Sequence, residues 1–230
     1  MRVTTTPRAR TAAALTAACL IGLTACSGSG GGDDESVKGP IDTGPTAGPV
    51  SKDALARAVV EAVPGHRIAA GGAVTAGDVR VGEGEKDCLP VAHALAGVAL
   101  GKPESVTGQR EVTGEGVVTT VTLGLYGRDG GPEAMEGLAE ALQKCGGGFS
   151  ATVKGVGQKV SKVAAEVAPQ GADQAMAFGA EVTRGGKTVP VKAVVFRKGI
   201  TVGYLSATGA DIKDFAFPVE VFEAQIVRLA

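Results

Sequence analysis

The chain of 230 residues has no tryptophan, two tyrosines and six phenylalanines, so aromatic residues make up only 3% of it. Proteins that stack nucleic-acid bases on aromatic side chains need more of them. The formal net charge of -1 also lacks the basic excess of a nucleic-acid binding surface. We therefore expect no nucleic-acid partner. Because 44% of the residues are hydrophobic, we expect a core built from valine, alanine and leucine.

Acidic residues are missing from the start of the chain. None precedes Asp33, whereas Arg2, Arg8 and Arg10 make the first residues basic. Residues 11–25 are uncharged and mostly alanine, leucine and isoleucine. A basic start followed by a short apolar stretch is typical of a secretory signal peptide, and spanning a bilayer takes a longer stretch of roughly 20 apolar residues. The sequence therefore predicts a signal peptide over residues 1–25.

The segment Leu23-Thr24-Ala25-Cys26 resembles the bacterial lipoprotein box. The resemblance implies that the Cys26 sulfur receives a diacylglyceryl group and that cleavage leaves Cys26 first, which anchors the protein to the extracytoplasmic face of the cell membrane. Residues 26–50 are rich in glycine, proline and acid, a composition typical of a flexible tether. A single domain is predicted over residues 51–230. The alternative for Cys26 is a chance cysteine after an ordinary signal peptide. The alternative for residues 26–50 is a segment that folds onto the domain.

Four cysteines are present, of which two fall in the predicted domain. Cys19 lies in the predicted signal peptide and Cys26 at the predicted anchor, so Cys88 and Cys145 remain. Outside the cytoplasm such a pair is expected to form a disulfide. Two free thiols or a metal site are the alternatives, but neither cysteine belongs to a CxxC motif, and zinc would need both histidines of the chain as further ligands. We predict a disulfide between Cys88 and Cys145 and no metal.

Hydrophobic periodicity predicts the helices and strands of the domain. Helices are predicted at residues 53–62 and 89–98, from the turn at 129–132 to 144, and from about 218. Strands are predicted at residues 106–112, 117–126, 149–154, 158–167, 174–183, 188–197 and 200–208, while residues 67–81 are ambiguous. The segments Arg184-Gly185-Gly186-Lys187 and Arg197-Lys198-Gly199 are typical of hairpin turns. We therefore expect an α+β fold, with an antiparallel β-sheet, helices packed mainly on one face and one disulfide.

No stretch of the domain matches a catalytic motif. A serine hydrolase places its nucleophile at a strained turn such as GxSxG, whereas Ser150 and Ser206 fall within predicted strands. His66 follows a Pro-Gly turn and is expected to be exposed. His93 lies in the middle of a predicted helix, where a packed or surface histidine is favoured over a catalytic one. We therefore predict that the protein is not an enzyme.

Two further features also have structural interpretations. Gly185-Gly186-Lys187-Thr188 has the end of a phosphate-binding loop but not its first glycine at the right spacing, so we interpret it as a hairpin turn. Glu83, Glu85 and Asp87 could hold calcium weakly, but their spacing matches no established calcium loop. A solvated acidic stretch is favoured there, and no cofactor is predicted.

The order of these elements resembles a known family. A first helix precedes Val63-Pro64-Gly65, and Cys88-Leu89-Pro90-Val91-Ala92 is followed by a hairpin, a helix ending at Cys145 and a meander of strands. This order resembles the extracellular sensor domain of some actinobacterial Ser/Thr kinases and related free lipoproteins, the PknH-like group. The resemblance covers most of residues 51–230. It implies a binding cleft on the sheet for an unknown ligand, without kinase activity, since no kinase domain is present.

Two functions compete on this evidence. The first is a membrane-anchored lipoprotein whose extracytoplasmic domain binds or senses an unknown ligand, or docks onto another envelope protein. The alternative is a carrier of a lipid or other apolar molecule, because an interior of valine, alanine and leucine can be hollowed at little polar cost. Any ligand that binds only the native state should raise the melting temperature of the domain.

Overall fold

A computed structural model describes Pro49, residues 51–209 and residues 214–230 of the protein. The predicted signal peptide, the lipidation site Cys26 and the predicted tether apart from Pro49 lie outside the described residues. Within the described part of the chain, no helix is long and apolar enough to cross a membrane.

Within the described residues, ten strands form one antiparallel sheet. They are β1 (Arg67–Ala70), β2 (Val79–Val81), β3 (Ser105–Val106), β4 (Arg110–Gly114), β5 (Val117–Leu125), β6 (Phe149–Val153), β7 (Val156–Glu166), β8 (Gln174–Arg184), β9 (Lys187–Lys198) and β10 (Thr201–Gly209). Their order across the sheet is β1-β4-β5-β10-β9-β8-β7-β6-β2, and β3 pairs with β5. The helices are α1 (Lys52–Ala58), α2 (Leu89–Leu95), α3 (Gly130–Lys144) and α4 (Val219–Val227). The predicted α+β class and antiparallel sheet are confirmed.

The helices cover both faces of this sheet, whereas we expected them mainly on one. Successive residues of a strand point to opposite faces, and the central strands are apolar on both. In β9, Val191 and Val195 join a core with α2 and α3, while Val194 and Phe196 join a second core with α1 and α4. Each apolar face needs a cover, so two helices lie on each side.

Helix α1 is shorter than predicted because a glutamine from α4 replaces its last turn. Ser51 caps the start of α1 through a hydrogen bond to its hydroxyl (3.2 Å). The helix then ends at Ala58 instead of residue 62. The fully buried Gln225 side chain donates to the Ala58 carbonyl (2.8 Å) and accepts from the Val60 N–H (2.9 Å). Both backbone groups are therefore satisfied without further helix.

The predicted disulfide is present, with a sulfur–sulfur distance of 2.03 Å between Cys88 and Cys145. Cys88 immediately precedes α2, and Cys145 immediately follows α3. Lys144 also contacts Asp87 across the same junction, at 3.2 Å between ammonium and carboxylate. The start of α2 is thus held covalently to the end of α3 on one face of the sheet.

The described residues within Thr43–Ala230 form one compact unit. Both hydrophobic cores are built from residues between Leu55 and Leu229, and the disulfide lies within the same span. The fragment Thr43–Ala230 therefore contains both cores and the disulfide, whose two cysteines belong to the core with α2 and α3, and we expect it to fold on its own.

Candidate ligand-binding cleft

A cavity of about 250 Å³ lies between α2 and the face of the sheet that α2 covers. We call it the cleft. Strands β6 to β9 form its floor, and the exposed end of the β8–β9 hairpin lies at its mouth. Its lining consists of Val74, Ala92, Leu95, Ala96, Ala151, Val153, Gln158, Val160, Val182, Arg184, Lys187, Val189, Val191 and Thr208.

The cleft exists because valines form its floor and alanines form its wall. Val160, Val182 and Val189 lie side by side across β7, β8 and β9, and each points to the α2 side of the sheet. Above them α2 presents Ala92 and contributes Ala96 at its C-terminal cap. An alanine side chain is too short to fill the space between a helix and a sheet, so an apolar gap remains.

Two cations lie at the mouth of the cleft. Arg184 and Lys187 are the last directly opposed pair of the β8–β9 ladder, and both are exposed. They point to the same face as Val182 and Val189, the preceding pair on that side. None of the described residues that line the cleft is aspartate or glutamate. The cleft therefore combines an apolar body with a positively charged mouth.

A second cavity of about 270 Å³, the side cavity, lies beyond the end of α2. Its lining includes Val98, Ala99, Pro103 and Val106, and Val74 lines both cavities. The buried Gln109 side chain holds the segment that carries Val74. Its amide donates to the Gly97 carbonyl (3.1 Å), and its oxygen accepts from the Val74 N–H (3.1 Å).

Two buried tyrosines fix the chain that follows α2. The Tyr126 hydroxyl donates to the Leu100 carbonyl (2.5 Å) and is hydrogen-bonded to the Tyr204 hydroxyl. Burial raises the pKa of Tyr126 to about 12, and it also raises the pKa of Tyr204 well above its ordinary value. Both side chains therefore stay protonated near neutral pH, and the pair serves to position the segment that lines the side cavity.

His66 is packed against the domain, although we expected it to be exposed. Only 10% of its side chain is accessible, and its Nε2 lies 3.3 Å from a carboxylate oxygen of Glu220. The ring covers Gly114, where an added Cβ would lie 2.2 Å from the His66 Cδ2. Because Gly114 has no side chain, it leaves the space that the His66 ring fills. The Pro-Gly turn before His66 gives no indication of this distant contact.

His93 lies buried in α2, as predicted for a packed histidine. Its Nε2 has no hydrogen-bond partner among the described residues. Burial lowers the pKa of His93 below its ordinary value of 6.5, and a hydrogen bond with the Ala76 backbone opposes this shift. Of the two serines considered, Ser206 donates to the Leu95 carbonyl (2.6 Å) and Ser150 lies exposed in β6. These are structural settings for all three side chains.

The His93 site predicts a pH-dependent stability. In the unfolded chain His93 binds a proton near pH 6.5, whereas in the folded protein it binds one only at lower pH. Between these two pKa values the unfolded chain binds more protons, so acidification favours unfolding. We expect the free energy of unfolding to fall between about pH 7.5 and about pH 5.5, and to fall less in His93→Leu. Urea unfolding at both values measures this. His66 is present in both proteins and cancels in the comparison; equal slopes would contradict the prediction.

The acidic stretch before Cys88 is used for structure. It forms a short 3-10 segment in which the Glu85 carboxylate accepts from the Ser150 N–H (3.0 Å), and Asp87 contacts Lys144. In the part of the chain that the structure describes, no three His, Cys, Asp or Glu side chains are grouped so as to hold a metal.

The resemblance implied a cleft on the sheet, but sequence reasoning did not identify the residues that line it or the two cations at its mouth. The sequence signal for them was the alternation along the β8–β9 hairpin. Val182 and Arg184 share one face of β8, and Lys187, Val189 and Val191 share the same face of β9. On each strand, a row of apolar residues is followed by a cation at the hairpin end, which indicates an apolar surface with a charged rim. The alternation does not show whether a helix covers this surface.

Comparison with known proteins adds two structural similarities. No family model matches the chain, and no curated protein matches its sequence. The chain is similar to the extracellular domain of PknH from Mycobacterium tuberculosis, with 10% identity and a TM-score of 0.48 over 79% of this chain and 95% of that chain. It is also similar to an uncharacterized protein, the Rv0999 ortholog from Mycobacterium smegmatis, with 13% identity and a TM-score of 0.38 over 72% and 90% of the two chains.

Proposed function

We propose that this protein is a membrane-anchored lipoprotein whose extracytoplasmic domain binds a small molecule with an apolar body, as a sensor and not as an enzyme. The cleft between α2 and the sheet carries the proposal. Small-molecule sites are typically concave and mostly apolar, with a few polar groups that fix orientation. The cleft has this composition, because valines and alanines form its body and Arg184 and Lys187 lie at its mouth.

The anchor and the location are supported by the chemistry of the cysteines. The Leu23-Thr24-Ala25-Cys26 segment supports lipidation of Cys26, and two acyl chains would hold the protein stably because each buried CH₂ contributes about 0.8 kcal/mol. The Cys88–Cys145 disulfide suits an oxidising compartment outside the cytoplasm. Loss of the protein from the membrane fraction in Cys26→Ser tests this part, and unchanged fractionation would overturn it.

Binding of a neutral fluorescent probe tests the cleft. We expect N-phenyl-1-naphthylamine, which brightens in apolar surroundings, to bind the Thr43–Ala230 fragment saturably. The Ala96→Phe variant places a ring in the cleft and should weaken binding on the order of tenfold, about 1.4 kcal/mol. The matched control is Ala56→Phe, because Ala56 is an exposed alanine of α1 that lines neither cavity. Thermal melts establish that all three proteins are folded.

Two results would overturn the cleft as the binding site. One is the absence of saturable fluorescence with the folded wild-type fragment. The other is equal affinity in wild type and Ala96→Phe when both are folded, since this would place the probe elsewhere.

A second candidate function, a carrier of an apolar molecule, is favoured by the side cavity. That cavity is mostly apolar, and it approaches the cleft at Val74, so together they offer more apolar surface than a small ligand needs. Organic extraction of the purified Thr43–Ala230 fragment distinguishes the two functions. Lipid in stoichiometric amount supports a carrier, and a clean extract at good yield supports the sensor.

A further inference from the structure

We propose that the side cavity is a second binding site of the domain, and that it binds an uncharged apolar molecule or group of about two fused rings in size. The inference goes beyond the proposed function, because it concerns a different cavity and holds whether or not the cleft binds a ligand. Val74 is the one described residue that lines both cavities, and its N–H is held by the buried Gln109 side chain (3.1 Å). The two cavities are therefore distinct sites that adjoin at one residue.

The lining of the side cavity determines the charge of the ligand. Of the described residues, thirteen line this cavity, and none of them is aspartate, glutamate, lysine, arginine or histidine. A charged group that enters the cavity would lose its hydration and gain no ion pair in return, which is costly. The side cavity therefore favours an uncharged ligand.

The polar side chains in this lining are already hydrogen-bonded within the domain. The Gln109 amide and the Thr122 hydroxyl both donate to the Gly97 carbonyl, at 3.1 and 2.7 Å. The Thr107 hydroxyl accepts from a backbone N–H of β5 (3.0 Å), and the Thr75 hydroxyl donates to a nearby carboxylate (2.8 Å). A water molecule needs roughly two to four polar partners to be held well in a cavity. Because these side chains are engaged with the protein, water there would be poorly held, and its displacement by an apolar molecule is favourable.

Apolar side chains form much of the remaining lining and mark its opening. Val98 and Ala99 are buried, at 4% and 5% exposure, whereas Val106 in the short strand β3 is 44% exposed. Gly101 and Gly108 also line the cavity, and an added Cβ at either position would meet nothing within 4 Å. Space is therefore open on this side, and a ligand that enters past Val106 would cover an apolar side chain that solvent now reaches.

The volume of the side cavity limits the size of the ligand. A dry apolar cavity of about 150 Å³ is large enough to bind benzene. The side cavity, at about 270 Å³, is nearly twice as large. Two fused rings, or a branched aliphatic group of similar volume, would therefore fit, whereas a lipid with two acyl chains is too large.

Titration with naphthalene tests the proposal. The protein is the purified full chain with Cys26→Ser, so that no acyl chain on Cys26 competes for the cavity. Aromatic rings shift the NMR signals of nearby methyl groups, and we expect naphthalene to shift the methyl signals of Val98 and Val106 saturably. The anion 2-naphthoate and the cation 2-naphthylmethylammonium carry the same rings. Each should require a concentration on the order of tenfold higher, because the lining offers no opposite charge.

Alanine substitutions in the same protein locate the site. Ala99→Leu places a larger side chain in the side cavity and should weaken naphthalene binding, measured at Val98 and Val106, on the order of tenfold. The matched control is Ala151→Leu, because Ala151 is also a buried alanine but lines only the cleft, and this variant should keep the unsubstituted affinity. Thermal melts establish that each variant is folded, and Ala99→Val, which adds less volume, replaces Ala99→Leu if the latter does not fold.

Three results would overturn the side cavity as a site for an uncharged ligand. The first is the absence of saturable shifts at Val98 and Val106 up to the solubility limit of naphthalene. The others are equal affinity for naphthalene and its charged analogues, and unchanged naphthalene affinity in a folded Ala99 variant. Each of these results leaves the proposed function standing, because binding of N-phenyl-1-naphthylamine in the cleft is measured separately with Ala96→Phe.

Discussion

The Cys88→Ala/Cys145→Ala variant of the Thr43–Ala230 fragment is expected to lose roughly 4 kcal/mol of unfolding free energy. The two cysteines are 57 positions apart, so their link excludes many extended conformations of the unfolded chain. Both sulfurs are buried beside α2 and α3, and alanine leaves no polar group there. A loss of this size is a large part of the 5–15 kcal/mol that is typical of a whole domain.

Urea unfolding of the oxidised wild type and the variant measures this loss. The slope of unfolding free energy against urea should also rise in the variant, because its unfolded state is less compact. Wild type treated with dithiothreitol is the matched control, and its unfolding curve should approach that of the variant. A difference below about 1 kcal/mol would show that the link does not restrain the unfolded chain as the loop-entropy model requires.

The disulfide also affects the cleft. It fixes the start of α2, and α2 carries Ala92 and Ala96 in the cleft wall. In the variant, α2 loses its covalent attachment to the end of α3. We therefore expect weaker binding of the neutral probe even under conditions where the variant remains folded.

Local patterns were sufficient to predict most of the sheet. In β5, Val117, Thr119, Val121, Leu123 and Leu125 alternate along the sequence and so share one face of the strand, and all five are buried. Alternation is a property of the strand itself, so it can be recognised without knowledge of the neighbours. The hairpin turn between β8 and β9 was predicted for the same reason, because two glycines with positive φ determine it locally.

The placement of helices on the two faces could not be predicted in the same way. The spacing of Leu55 and Ala58 shows that α1 has a buried side, but it does not show which face of the sheet covers that side. Residues 67–81 were ambiguous because β1 and β2 are short edge strands. Each is stabilised by pairing with a strand distant in sequence, β4 for β1 and β6 for β2.

The resemblance implied a cleft on the sheet, but the residues that form it were harder still to predict, because a cleft is defined by missing volume. Alanine at positions 92 and 96 is compatible with a close helix–sheet contact as well as with a gap. Only the position of α2 distinguishes a close contact from a gap. That position depends on the disulfide and on the segments around the helix. Gln225 was missed for a related reason: glutamine is usually exposed, and the two backbone groups that it satisfies lie far away in sequence, at the end of α1 and just after it.

The Gly203→Ala variant should be destabilised by about 3 kcal/mol, at the upper end of typical overpacking costs. Gly203 lies opposite Phe196 in the β9–β10 pair, and an added Cβ would lie 2.2 Å from the Phe196 Cζ. The Phe196 ring is fully buried and packs edge-on against Phe222, with ring centroids 5.2 Å apart. The ring has no free space to move into, so the added methyl group must displace the core that α4 covers.

A smaller side chain at position 196 should relieve this clash. Phe196→Leu is expected to destabilise wild type but to cost less in the Gly203→Ala background, and a double-mutant cycle of urea unfolding measures the coupling. Gly157→Ala in β7 is the matched control, because nothing lies within 4 Å of its added Cβ. It should be neutral or slightly stabilising. Additive effects of the Gly203 and Phe196 substitutions would contradict the prediction, since they would show that the aromatic ring does not occupy the space above the glycine.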